Sequence, residues 1–146
     1  MATTTFSGPV VSQNGFIGPI AYETLAAAST LTSAQSGSTF FLSAAAEFAT
    51  TLPAPSAGLV YTFIVGAAPS GASYTVITNA SANIIKGQAY PASGAAGDTG
   101  TSDDTISFVD GQSVAGDMVT VMSDGTSWFA YAWCAVAAGV TFTTAS

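Results

Sequence analysis

The chain contains no histidine and no arginine, a single lysine, Lys86, and a single cysteine, Cys134. Each absence removes a class of chemistry. Without His, neither a Ser-His-Asp nor a Cys-His nucleophile system can be assembled, and no His-ligated zinc site can form. One Cys supplies neither an internal disulfide nor a thiolate metal site. Flanked by Trp133 and Ala135 in an apolar run, Cys134 reads as a small core residue. One Lys cannot neutralise a phosphate backbone, which excludes nucleic acid as a partner. An anionic membrane surface is excluded by the same sign argument. Lys86 follows Ile84-Ile85 and precedes Gly87, so it belongs to no phosphate-cradling loop. No run of about 20 apolar residues crosses a membrane. The segment from Met1 to Val10 lacks the basic start and apolar stretch of a secretion signal, so synthesis in the cytoplasm and use without secretion are expected.

Charge of either sign is scarce. Only 6% of the 146 residues are charged, against about 25% in ordinary domains, yet eight carboxylates against one cation leave a net charge of -7. The hydrophobic fraction of 49% rules out a disordered composition, although 28 alanines inflate it. The core must come from nine Phe, five Tyr, two Trp and the Val, Ile and Leu runs. The length suits one domain able to bury a real core. Ser, Thr, Gly and Ala are left to cover the outside. A surface with few long side chains loses little entropy and strands few charges when another protein covers it. This is the composition of a protein that works packed against others.

What is present is a succession of short strands punctuated by turns, with no long helix. The expected class is therefore all-β: a single-domain β-sandwich, jelly-roll-like fold or small barrel, preceded by an extended N-terminal arm. Residues 1–36 are read as the arm and 37–146 as the body. In the arm, Phe6-Ser7-Gly8-Pro9-Val10 is echoed ten residues later by Phe16-Ile17-Gly18-Pro19-Ile20. Gly-Pro opposes helix and imposes an extended or turning path. Phe6, Pro9, Val10, Phe16, Pro19 and Ile20 are thus candidate anchors on a partner. Tyr22 to Leu31 has some helical propensity, enough for a turn or two. In the body, Leu59 to Val65 is apolar on both faces and reads as a central strand. Asn79 to Ala82 joins two strands as a turn, and Tyr90 to Asp104 reads as a long loop. Ser123-Asp124-Gly125 predicts a hairpin between Asp117–Met122 and Thr126–Trp133. Its second arm puts Phe129, Tyr131 and Trp133 on one face, a candidate subunit interface.

The acidic residues admit two chemical readings. Glu23 and Glu47 sit apart in Ala-rich settings, which does not suggest a glycosidase pair. Asp98, Asp103 and Asp104 share a stretch with Thr99, Thr101 and Ser102, oxygen donors that a cation would accept, though the spacing fits no EF-hand. Trp128, Tyr131 and Trp133 could make a sugar-stacking platform. No enzyme activity, cofactor or resident metal is expected.

Three stretches resemble small structural proteins of tailed bacteriophages, particularly phages of marine bacteria and cyanobacteria: FSGPVVSQNGFIGP at 6 to 19, TLPAPSAGLVYTFIV at 51 to 65 and SDGTSWFAYAW at 123 to 133. Together they cover less than a third of the chain. Among virion parts the resemblance favours a capsid decoration, or cement, protein. It implies a place on the outer capsid surface of the virion, the major capsid protein as partner and a homotrimer. The arm would add a strand to a capsid sheet. The alternatives are a receptor- or glycan-binding head of a fibre or tail protein, or another minor capsid or head-tail component.

Overall fold

The computed structural model describes residues 21–44 and 46–144, which form two β-sheets packed face to face. The larger sheet has seven strands in the order β1 (Tyr22–Leu25), β3 (Thr39–Leu42), β5 (Val60–Val65), β10 (Met118–Ser123), β11 (Trp128–Cys134), β7 (Ile85–Pro91) and β8 (Thr99–Asp103). The smaller has five: β12 (Val140–Thr143), β9 (Thr105–Phe108), β6 (Tyr74–Ile77), β4 (Phe48–Thr51) and β2 (Ser29–Thr30). The all-β sandwich predicted from turn-punctuated strands is what the chain forms.

The first half has a simple plan. From β1 to β6 the chain alternates between the sheets, and successive strands in each sheet pair in parallel. The result is three turns of a flattened coil. Its register stacks Leu25, Leu42 and Val65 in one file and Phe40 on Phe63 in the next, with Glu23 at the edge of that second file. The second half closes the larger sheet by laying the β10–β11 hairpin antiparallel against β5. Parallel pairs in both sheets separate this topology from a jelly roll, and two open sheets separate it from a barrel.

Between the sheets, alternation sends every second side chain inward. The Phe40 and Phe63 rings stack 5.5 Å apart, and Tyr61 packs on Trp128 at 5.8 Å. Buried tyrosines keep their polar ends satisfied: Tyr61 donates to the Thr32 carbonyl (3.0 Å) and Tyr74 to that of Ala44 (2.8 Å). Gly87 lies too close to β11 for a side chain, because a Cβ there would collide with the Ala130 carbonyl.

Four local expectations change. Residues 21–36, grouped with the arm by composition, carry β1, β2 and a 3-10 turn (Ser33–Gln35) within the sandwich. The helical propensity of 22–31 yields to strand pairing, which buries Leu25 and Leu31 in the core. The turn at 79–82 is a 3-10 crossover (Asn79–Ser81) between sheets, with β6 in one and β7 in the other. The long loop 90–104 holds the end of β7 and all of β8, antiparallel neighbours joined by a short connection. The six candidate arm anchors lie outside the described residues.

Candidate docking face

The larger sheet is apolar on its inner face and carries large apolar side chains among threonines on its outer one. On its outer surface the register aligns three files across the strands. The first runs Thr24, Phe41, Ile64, Met118, Trp133, Tyr90. The second runs Tyr22, Thr39, Thr62, Thr120, Tyr131, Gln88. The third, shorter, is Val60, Met122, Phe129, Lys86. Lys86 is the only charged side chain in these files.

Aromatic and hydroxyl groups order this surface. Trp133 is 61% exposed and Tyr131 55%, yet the Trp133 ring is braced by Tyr90 at 5.3 Å. Tyr90 in turn donates from its hydroxyl to Gln88 Oε1 (3.1 Å). Tyr22 meets Phe41 edge-on at 6.1 Å. The Thr62 and Thr120 hydroxyls share a hydrogen bond at 3.1 Å, and the Lys86 ammonium lies over the Phe129 ring. Where the face ends, Tyr90, Pro91, Val114, Trp133 and Cys134 border a shallow, mainly apolar pocket of about 480 Å³. Cys134 itself is buried, and burial pushes its thiol pKa up, so the thiolate is disfavoured at neutral pH.

The outer surface of the smaller sheet is different. Its files are built largely from Thr30, Thr51, Thr75, Ser107, Thr141 and Thr143, short hydroxyl side chains that water solvates well.

The carboxylates serve the backbone. Asp117, buried, accepts from Ser113 Oγ and the Val114 N–H through Oδ2 (both 3.0 Å) and from the Ala135 N–H through Oδ1 (2.8 Å). Asp98 accepts from the Phe142 N–H (2.7 Å) and its neighbour Thr99 (2.9 Å). Asp103 accepts from the Thr101 N–H, and Asp104 from the Thr105 hydroxyl. In the hairpin turn Asp124 accepts from Ser127 and from both Thr126 donors, bonds that hold its carboxyl below its ordinary pKa. Among the described residues no three His, Cys, Asp or Glu side chains are grouped to hold a metal ion. No helix among them is long and apolar enough to cross a membrane.

Of the residues singled out in sequence, Phe129, Tyr131 and Trp133 do share the outer face, with Phe129 half-buried. Trp128 does not join them. It points inward, fully buried against Tyr61, so the three-residue sugar platform is not assembled. Strand alternation dictates the split, since 128 is out of phase with 131 and 133. Sequence reasoning missed the rest of the face: Phe41, Ile64, Met118, Met122 and Tyr90 come from strands distant in the chain. The available signal was the two-sided apolarity of Leu59–Val65 and Thr39–Leu42.

Neither a protein-family model, nor a curated protein, nor a solved structure matches the chain.

Proposed function

We propose that the protein is a structural assembly subunit without chemistry of its own, a decoration protein on the outer surface of a tailed-phage head. The observation that carries the assembly reading is the outer face of the larger sheet. Six strands present aromatic, aliphatic and threonine side chains with one charge among them, a composition characteristic of interface cores. Contiguous apolar patches of this kind mark interaction sites. The viral setting is supported by the phage-like stretches at 6–19, 51–65 and 123–133. Two of them, 51–65 and 123–133, contain β5 and all of β11 but Cys134. On a shell, many copies make modest single contacts sufficient through avidity.

The test is to incubate the chain with expanded phage heads and count bound copies by quantitative gel or by density in a reconstruction. Occupancy that tracks the shell's own subunits, lost when residues 2–20 are deleted, is the expected result. Binding confined to one vertex would make it a joining protein. Saturable glycan binding abolished by Trp133→Ala would make it a receptor-binding head.

A further inference from the structure

We infer that the outer face of the larger sheet is covered by a second copy of the same chain, giving a two-fold pair. This rests on the assembly reading above and deepens it by naming the partner.

Charge selects the face. Each copy carries -7, so two copies repel wherever acidic surfaces meet. The two glutamates lie on β1 and just before β4, and the aspartates lie on or beside β8, in the loop before β10 and in the hairpin turn. None projects from the three outer files of the larger sheet. Pairing through this face sets no carboxylate of the three files against its copy; Asp104 and Asp117 are buried within each chain, and the exposed carboxylates lie outside the files, where salt screens charges separated by more than about 8 Å. Contact through the β1 edge, the β8 edge or the loops would set carboxylates against one another. The threonine-rich face of the smaller sheet has little to gain from leaving water.

Area is sufficient. Six strands spaced about 4.8 Å apart, with three files of side chains, span roughly 25 Å by 20 Å, or about 500 Å² per copy before corrugation. Two such faces remove about 1,000 Å² or more from water, the lower bound for a specific interface. A two-fold pair sets one face against the same face of its copy, so the whole face can enter a single contact. The three-fold ring implied by the phage resemblance would leave part of it wet. Tyr131 and Trp133, the most exposed aromatics of β11, are the anchors of the contact.

Sedimentation velocity of the full chain, from about micromolar to hundreds of micromolar, tests this. The expected mass rises from one chain to two with concentration. Trp133→Lys and, independently, Met122→Lys should each weaken the pair roughly tenfold or more. Both side chains are more than half exposed, so the fold tolerates the change, and circular dichroism verifies it. Thr141→Lys, on the opposite sheet, should leave the pair intact. In the wild type, Trp emission should shift to the blue as Trp133 is covered. A one-chain mass throughout, a three-chain mass, or a pair indifferent to both face substitutions overturns the inference. A monomer that still decorates capsids sinks the pairing and spares the virion reading; a pair that ignores capsids does the reverse.

Discussion

Asp117→Asn is the most informative single change to the fold. The carboxylate is buried between the loop that precedes β10 and the strand end that follows β11, and accepts three hydrogen bonds from the two segments. Asn keeps the shape but has one acceptor oxygen. If it accepts from Ala135, its amide nitrogen faces the Val114 N–H, a donor with which it cannot pair, and the Ser113 hydroxyl, which must turn round to accept. If it flips, Ala135 loses its acceptor. A hydrogen bond to a charged group is worth about 1.5–3 kcal/mol, and an orphaned buried donor costs about 1–3 kcal/mol. One or two lost bonds give about 2–4 kcal/mol, a large part of the 5–15 kcal/mol expected for a whole domain. Urea denaturation followed by far-UV circular dichroism measures it. With a slope of about 1–3 kcal/mol per molar, the midpoint should fall by roughly 1–2 M at unchanged slope. A shift below about 0.5 M would show that the three bonds are replaceable by water and would refute the clamp. Asp117 also borders the pocket beside Trp133, so the substitution should weaken pairing as well as the fold.

Two further outcomes follow from the same structure. The depressed pKa of Asp124 means that its contribution is fully present above the ordinary value of 3.8 and is lost as pH falls through the lower folded value. The stability gap between wild type and Asp124→Asn should therefore close on acidification below 3.8, and a gap constant with pH would contradict the assigned bonds. Gly87→Ala should destabilise by at least about 2 kcal/mol, because the new methyl meets the Ala130 backbone carbonyl, which cannot swing aside; a thermal melt within a degree of wild type would refute the close contact.

The sequence disclosed periodicity better than connectivity. Alternation in Trp128–Cys134 assigned both faces of β11 correctly, and Asp124-Gly125 placed its hairpin, because both signals are local. The parallel coil was not legible, since parallel strands are joined through the other sheet and leave no turn signature between partners. Residues 22–31 illustrate the limit: Ala-rich propensity allowed a helical turn or two, and pairing with β3 and β4 prevailed over it. Of the docking face, the β11 residues were visible from their spacing. Phe41, Ile64 and Tyr90 were not, because a face assembled from six strands exists only once strand order is known.

The stacking of the coil carries one more consequence, at its first turn. Among the described residues β1 is the edge strand of the larger sheet, and Glu23 occupies the file in which Phe40 and Phe63 stack. A foreign strand added there in register would enclose that carboxylate beside aromatic rings, at a cost of several kcal/mol. A coil of parallel strands is a template that could lengthen end to end into a fibre. Glu23, which accepts from Gln35 Nε2 at 3.3 Å, therefore opposes growth by in-register strand addition at this edge.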